Sequence, residues 1–368
     1  MSVAAPWRLS PAAEWAVEAS ILALFVLCAL LYFIEFSFDL DRYAFSEGYF
    51  RLALNSHDHG VYVQTMDAIA SAGVEYGLNN DFGIAAIYLA LAKALPWLVD
   101  DNYALLSFLF NGVVLGGCYL LWHGICVYYG IGLAGRLSFF LNTSLLFFMQ
   151  LINKDMLTIL AFLLAIFLAT RRRTGWLLLT LPLLFLVRQQ LAVFAVLFVF
   201  FMRPGRTQGR MVLAYVATSL AAGVLSAFVS VIGEESMGDG FGAYLMQFNS
   251  QYFVGYLLFN PLRVLQYLMD VYASFFIYLE DGGVDVAKIL RLPLLVLLAL
   301  RWRDAWSMLA HFGFWLRGPL RPVLCTIVAY LLAWLMNPTV NARYVILIFP
   351  VVLIFVLAVR AARLREAS

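Results

Sequence analysis

The stretch of residues 175–202 is apolar except at Arg188-Gln189-Gln190, and it is flanked by arginines on both sides. Because Lys and Arg concentrate in cytoplasmic loops, both of its ends are predicted to be cytoplasmic, with Arg188 at a turn between two limbs. Each limb has about 13 residues, or about 20 Å of helix, whereas a bilayer core is about 30 Å thick. A charge at membrane depth rarely faces lipid. We therefore expect Arg188 to face a cavity that opens away from the cytoplasm and suits an anionic lipid-linked substrate.

The composition is that of a polytopic membrane protein. Hydrophobic residues make up 64% of the 368 and charged residues only 12%, too little charge to cover the surface of a soluble protein of this size. The formal net charge is +2, and no basic run is long enough to indicate nucleic-acid binding. The four cysteines lack metal-ligand spacing and are interpreted as small buried apolar residues.

The charges divide the loops into two groups. Residues 37–102 contain nine acids and three bases, and residues 233–285 contain seven acids and one base, Arg263. The other turns, at 171–173, 203–210 and 301–321, and the tail from Arg360 are rich in arginine. The positive-inside rule places the arginine-rich turns and both termini in the cytoplasm, and the acidic loops outside. The predicted location is the inner (plasma) membrane, crossed several times.

This topology predicts an all-α fold with about ten transmembrane helices in a single membrane domain over residues 1–368. The predicted spans are residues 19–37, 103–122, 132–152, 155–170, 174–187, 189–202, 211–232, 286–300, 321–337 and 344–360. The large outer loops are 38–102 and 233–285. Their apolar segments 83–98 and 251–279 begin and end on the outer side, so they are predicted to be interfacial or re-entrant helices.

Three carboxylates of the first outer loop are candidate catalytic residues. Residues 60–72 have the apolar spacing of a surface helix, which places Asp58 near its N-terminus. An ionised carboxylate there can accept a proton or hold a metal through its oxygens, although it can equally act only as a helix cap. Asp39 and Asp41 follow the first span directly. A metal site at His57-Asp58-His59 is less favoured, because adjacent side chains point apart on a regular element.

Three cations are predicted to lie on the outer side: Lys154 at the start of one span, Arg188 at the mid-chain turn, and Arg343 at the start of the last span. The guanidinium of Arg188 presents a planar set of donors that matches phosphate, and Gln189 lies beside it. The alternatives are an ion pair between Arg188 and a loop acid, a snorkelling Lys154 and an interfacial Arg343. Together the cations fit a reaction on a phosphate-linked donor, in which a base activates a hydroxyl.

Short motifs in this order resemble those of a known group of membrane enzymes. They are D-x-x-x-Y at Asp58–Tyr62, residues 80–83 before an apolar segment, Lys154-Asp155, Arg188-Gln189, and Arg343-Tyr344. The chain resembles membrane glycosyltransferases of the C type and the related polymerases of O-antigen and exopolysaccharide. Where the mannosyltransferases have a D-E pair, this chain has Asp39-Leu40-Asp41, which favours the polysaccharide-assembly branch and polymerisation.

The resemblance implies a donor sugar or oligosaccharide on polyprenyl phosphate or diphosphate, and transfer on the non-cytoplasmic face. It implies a base or metal ligand at Asp58, or at Asp39 or Asp41. The resemblance assigns phosphate binding to Arg188, with Lys154, Arg343 and Gln189 assisting. A divalent cation is compatible with these carboxylates but is not required by the sequence. The implied partners are the lipid-linked donor, a glycan or lipid acceptor, membrane lipid and other polysaccharide-assembly proteins.

Three other classes remain open from the sequence. A carrier or flippase of an anionic glycan needs charges deep in several spans and internal symmetry, whereas intramembrane charge here is nearly confined to Arg188. A membrane O-acyltransferase needs a histidine-centred acyl site. The predicted topology places His123 and His311 in the cytoplasm, and no clear motif surrounds them. A non-catalytic assembly subunit is the remaining alternative.

Overall fold

The structure is a computed structural model that describes residues 10–38, 56–72, 81–99, 102–228, 241–278, 283–337 and 342–366. Within these ranges the chain is helical, and the only β-type contact is an isolated bridge between Tyr278 and Val284. The all-α prediction is therefore confirmed for the described residues. Asp39 and Asp41, two of the three candidate catalytic carboxylates, lie outside them.

The first half of the chain contains both long helices and short ones. The α-helices are α1 (Pro11–Tyr32), α2 (Ser56–Ala72), α3 (Phe82–Ala94), α4 (Pro96–Val99), α5 (Tyr103–Tyr128), α6 (Leu133–Leu137), α7 (Ser144–Phe148), α8 (Asp155–Thr170) and α9 (Leu181–Val187). A π-helical turn, Phe33–Ser37, extends α1. Two 3₁₀ segments, Ser138–Leu141 and Thr174–Thr180, follow α6 and precede α9.

The second half continues in the same way. Its α-helices are α10 (Gln189–Met202), α11 (Thr207–Phe228), α12 (Phe241–Tyr252), α13 (Gly255–Ala273), α14 (Val286–Ile289), α15 (Leu292–Leu300), α16 (Trp302–Ala310), α17 (Phe312–Trp315), α18 (Arg321–Trp334) and α19 (Ala342–Glu366). The described part has three helices long and apolar enough to cross a membrane, namely Pro11–Ser37, Tyr103–Tyr128 and Arg343–Arg365. Shorter apolar helices accompany them, among them α8, α10 and α18.

Helix α18 packs against α8, α10 and α19, and α8 also packs against α10 and α19. These four helices have two ends in common. At one end, the Arg321 guanidinium that opens α18 donates to the carbonyls of Phe201 and Arg203 at the close of α10, at 2.7 and 2.6 Å. At the other end, the first residues of α8, α10 and α19 meet the last turn of α18. We call these the arginine end and the cavity end.

The mid-chain turn lies where the sequence predicts it. Helix α9 stops at Val187, Arg188 is extended with φ −166° and ψ 123°, and α10 starts at Gln189. Helix α10 packs back along α9 and the 3₁₀ segment that precedes it. Arg188 therefore stands at the tip of a helical hairpin whose two open ends lie at the arginine end.

Residues 132–152 do not form the single spanning helix that the sequence predicts. They form α6, a 3₁₀ turn, α7 and an irregular segment, along which polar side chains bind backbone carbonyls. The Ser138 hydroxyl donates to the Gly135 carbonyl at 2.6 Å, and Thr143 donates to the Leu290 carbonyl at 2.5 Å. The prediction of one continuous helix over these residues is therefore wrong.

Helices α2 and α3 of the first predicted outer loop pack on each other and on the bundle. Their shared core includes Tyr62 and Met66 of α2, and Ile84 and Tyr88 of α3. Because Ile84 and Tyr88 are fully buried, the start of α3 lies inside the bundle rather than on its surface. This packing holds the first turn of α2 and the residue before α3 at the cavity end.

Gly83 allows the start of α3 to approach the helical hairpin very closely. A Cβ built on Gly83 falls 1.9 Å from the carbonyl oxygen of Leu186, on α9. We predict that Gly83→Ala lowers the thermal stability of the purified protein by about 1–3 kcal/mol, since backbone atoms have to move to admit the methyl group.

The matched control is Gly116→Ala in α5, where nothing lies within 4 Å of the added Cβ. Both substitutions gain the same helix propensity, about 1 kcal/mol. The measurement is the melting temperature of each variant in the same detergent. Equal stability of the two variants would show that α3 does not approach α9 as closely as described.

Candidate functional site

A polar cavity of about 170 Å³ opens at the cavity end of the bundle. Its walls combine charged and aromatic side chains from both halves of the chain: Asp58, Tyr62, Asp81, Lys154, Arg188, Gln190, Trp334, Asn337, Arg343 and Tyr344. A larger apolar groove on the outside of α10 and α11 is lined by Arg203 and otherwise almost entirely by apolar side chains. The polar cavity is therefore the candidate site.

Arg188 forms the floor of this cavity. Its side chain is 8% exposed, and its guanidinium carbon lies 5.6 Å from the centre of the Trp334 ring and 5.4 Å from that of Tyr344. Its Nη2 lies 3.4 Å from Oδ1 of Asp155, a long contact for a charged pair. Its Nη1 is buried and has no hydrogen-bond partner among the described residues. A buried cation with a free donor is costly unless a ligand satisfies it.

Asp155 supports two arginines with one carboxylate. It is fully buried in the first turn of α8, and its Oδ2 accepts a hydrogen bond from Nε of Arg343 while its Oδ1 faces Arg188. The Asn153 side chain accepts from the Asp155 backbone N–H at 3.0 Å and so fixes the start of the helix. One fully buried carboxylate therefore contacts two guanidinium groups, of which that of Arg188 is buried and that of Arg343 is partly exposed.

Two further ion pairs stand at the mouth of the cavity. Nη1 of Arg343 lies 2.9 Å from Oδ2 of Asp58, and Nζ of Lys154 lies 2.9 Å from Oδ1 of Asp81. The acids are the exposed partners: the side chains of Asp58 and Asp81 are 36% and 32% exposed, against 16% for Arg343 and 5% for Lys154. Burial lowers the pKa of Lys154, and the nearby Arg188 charge adds to this, whereas the Asp81 carboxylate acts in the opposite direction.

The irregular segment before α8 is held by side-chain amides. Nδ2 of Asn111 donates to the carbonyls of Met149 and Leu151 at 3.3 and 3.2 Å, and Nδ2 of Asn153 donates to Phe148 and Leu151 at 2.6 and 2.7 Å. These bonds satisfy carbonyls that a continuous helix would have used. The break in the helix therefore gives Lys154 and Asp155 a fixed position at the cavity.

The opposite wall is fixed by a buried arginine that sequence reasoning missed. Arg263 of α13 is fully buried, and its guanidinium donates to the carbonyls of Leu335 (2.6 Å) and Asn337 at the end of α18. A cation is favourable there because carbonyls at a helix C-terminus are unsatisfied. Arg263 therefore connects the second predicted outer loop to Asn337 on the cavity wall.

The structure brings together four of the predicted site residues: Asp58, Lys154, Arg188 and Arg343. Asp58 lies in the first turn of α2, as expected, but it forms an ion pair instead of acting only as a cap. The fifth described candidate, Gln189, is not among the lining residues, whereas its neighbour Gln190 is. Successive residues of a helix point about 100° apart, and so only one of the two faces the cavity.

Trp334 and Asn337 are the lining residues that sequence reasoning missed altogether. Five other residues at the cavity occur in the quoted motifs but were not among the predicted site residues: Tyr62, Asp81, Asp155, Gln190 and Tyr344. Asp81 had a local signal, since it is an acid directly before a predicted apolar helix with Gly83 two residues later. Trp334 and Asn337 had no such signal. They lie at the end of a predicted span, and nothing in the sequence distinguishes a span end that lines the cavity from one that does not.

No metal centre is defined in the described ranges: no three His, Cys, Asp or Glu side chains lie close enough together to hold an ion. His59 is buried, and its Nδ1 accepts from the Ile152 backbone N–H at 3.3 Å. This bond anchors α2 to the irregular segment and uses the ring nitrogen for structure. Asp39 and Asp41, the other candidate ligands, are outside the described residues.

Comparison with family models, with curated proteins and with solved structures gives no match for this chain.

The His59 anchor predicts a pH dependence for α2. Burial lowers the pKa of His59 from 6.5 to about 4. Between these values the undocked state binds a proton that the docked state does not bind, so stability falls as the pH falls from 6.5 towards 4. The loss is about 3 kcal/mol at its limit.

The measurement is amide hydrogen exchange of residues 56–72 at several pH values, corrected for the intrinsic exchange rate. Protection should fall between pH 6.5 and pH 4 in the wild type and in His57→Gln, because His57 is exposed. It should be independent of pH in His59→Gln. The same pH dependence in His59→Gln as in the wild type would rule out the anchor.

Proposed function

We propose that this protein is a polytopic membrane glycosyltransferase. It takes a sugar or oligosaccharide linked to polyprenyl phosphate or diphosphate and transfers it on the non-cytoplasmic face, during assembly of a cell-surface polysaccharide. Glycan polymerisation is the form of this reaction that we favour. The proposal includes about ten spans in the inner membrane and cytoplasmic termini.

The proposal depends mainly on the surroundings of Arg188. It is a buried guanidinium with an unpartnered Nη1 at the floor of a polar cavity, and two further cations line the same cavity. Guanidinium groups bind phosphate oxygens through parallel hydrogen bonds. A phosphate on Arg188 would satisfy the free donor.

The depth of the cavity supports a substrate anchored in lipid. Helices α8, α10 and α18, with 16, 14 and 14 residues, all run between the arginine end and the cavity. At 1.5 Å per residue they are about 24, 21 and 21 Å long, less than the roughly 30 Å of a bilayer core. If the arginine end is cytoplasmic, the cavity floor lies below the outer edge of the hydrocarbon. A phosphate tethered to a polyprenyl chain can reach that depth.

The arrangement supports a direct displacement at the anomeric carbon. Arg188, Lys154 and Arg343 hold the donor phosphate and take up the charge that develops on it as the bond from the anomeric carbon to the phosphate oxygen breaks. The electron pair leaves with the phosphate, and the acceptor hydroxyl oxygen forms the new bond. Its proton passes to a carboxylate base.

Asp58 is the described carboxylate best placed to act as that base. It lies at the cavity mouth, is partly exposed and is joined to the phosphate-binding set through Arg343. Asp155 is fully buried and shared between two arginines, and so it suits a positioning role. Asp39 and Asp41, which lie outside the described residues, remain predicted alternatives.

We predict that Arg188→Ala abolishes product formation while the protein still inserts into the membrane. The measurement is the lipid-linked glycan profile of cells that lack the protein, complemented with wild type or variant at matched membrane levels. If the protein is a polymerase, deletion leaves single repeat units on lipid, and Arg188→Ala does not restore longer glycans. A glycan that lacks one sugar would instead indicate a single-sugar transferase.

The matched control is Arg206→Gln, which removes one exposed arginine at the arginine end and should complement fully. Full complementation by Arg188→Ala would contradict the site assignment. Accumulation of complete lipid-linked glycan on the cytoplasmic face would favour the alternative of a flippase. Loss of acyl groups with an intact glycan would favour the O-acyltransferase.

A further inference from the structure

The charges of the described residues around the cavity sum to zero. Among the residues that the structure describes, Lys154, Arg188 and Arg343 contribute three positive charges, and Asp58, Asp81 and Asp155 contribute three negative ones. Asp155 is fully buried and bonded to two arginines. Asp58 and Asp81 are about one third exposed at the mouth, where Asp58 forms an ion pair with Arg343 and Asp81 forms one with Lys154. Without the two mouth acids, the remaining set carries a net charge of about +2.

An anion that uses all three cations has to replace the mouth acids. If Asp58 and Asp81 stayed in place, a bound dianion would leave a charge of about −2 in a partly buried cavity, which is strongly unfavourable. If both carboxylates rotate into water, the dianion restores neutrality. The exchange replaces one ion pair by another at each cation, and so its net cost is small.

We infer that Asp58 and Asp81 are counter-ions that occupy the positions of the two phosphoryl groups of a diphosphate, and that the site accepts a diphosphate-linked ligand by exchanging both. This rests on the proposed function, and it specifies the donor as a diester of diphosphate, which carries two negative charges. A sugar linked through a single phosphate carries one charge and exchanges one carboxylate only.

The local geometry supports the movement of these two acids. Asp58 and Asp81 have short side chains with about a third of their surface exposed, and they come from the segment around α2 and α3. Their cation partners are less free to move. Lys154 directly precedes α8 and is nearly buried, and Arg343 is held by Asp155. Rotation of these two short side chains does not require the helices to move, since His59 and Tyr62 keep α2 packed.

The exchange also has a consequence for the order of events. In the ligand-free state Asp58 is paired with Arg343. When the diphosphate takes Arg343, the Asp58 carboxylate is released beside the bound donor and can accept the proton of the acceptor hydroxyl. The Asp58 base is thus made available only once the donor is bound.

The test is calorimetric binding to the purified full-length protein in nanodiscs. The two probes are a C10 isoprenyl phosphate sugar and the same sugar linked through C10 isoprenyl diphosphate. The proteins are wild type, Asp58→Asn, Asp81→Asn and the double variant. Each single variant should raise the affinity for the diphosphate probe about fivefold, because it removes a competing ion pair worth about 1 kcal/mol. In the double variant the two gains in affinity should multiply. For the monophosphate, the double variant should gain no more than a single one.

Asp67→Asn is the control, since it removes the same charge from the exposed side of α2 and should leave both affinities unchanged. Unchanged diphosphate affinity in Asp81→Asn, multiplied gains with both probes, or no binding of either probe to wild type would each overturn the inference. Arg188→Ala separates the two proposals. If it leaves both affinities unchanged, the phosphate site of the proposed function is itself wrong. If it weakens both while the aspartate variants have no effect, only the exchange is wrong.

Discussion

The carboxylate of Asp155 is the interaction on which the cavity depends. It is fully buried and joins Arg343 at the start of α19 to Arg188 at the tip of the α9–α10 hairpin. Two guanidinium groups so close together would repel each other without it, and neither could remain buried. One carboxylate therefore holds both arginines at the cavity, and Arg188 keeps a buried Nη1 without a hydrogen-bond partner among the described residues.

The second requirement is a stretch of backbone that is not helical. The amides of Asn111 and Asn153 bind the carbonyls of Phe148, Met149 and Leu151, which helps residues 149–154 to be irregular inside the bundle. Irregular backbone at membrane depth is tolerated where protein buries it or where it lines a cavity. Here it does both, since His59 binds the Ile152 N–H and Lys154 lines the cavity. The polar network and the site are therefore one structure.

Much of the site was predictable from local sequence. The turn at Arg188 follows from arginines on both sides of an apolar stretch, and the position of Asp58 in the first turn of a helix follows from apolar spacing. The continuity of residues 132–152 was predicted wrongly, because hydropathy measures how apolar a segment is and not whether its backbone stays helical. Gln190 lines the cavity and Gln189 does not. The rotation of the helix about its axis decides which side chain faces inward, and the sequence does not determine this rotation to within one residue.

The sequence by itself determined the helical class, the apolar character of the chain and the presence of cations at the ends of particular helices. These follow from composition and short-range periodicity, which act within a few turns of helix. Only the tertiary structure decided which charges pair. Asp81 meets Lys154 and Asp58 meets Arg343 across 73 and 285 residues of chain. Such pairs depend on how the helices pack, because ion pairing acts over a few ångströms in space and carries no signal along the sequence.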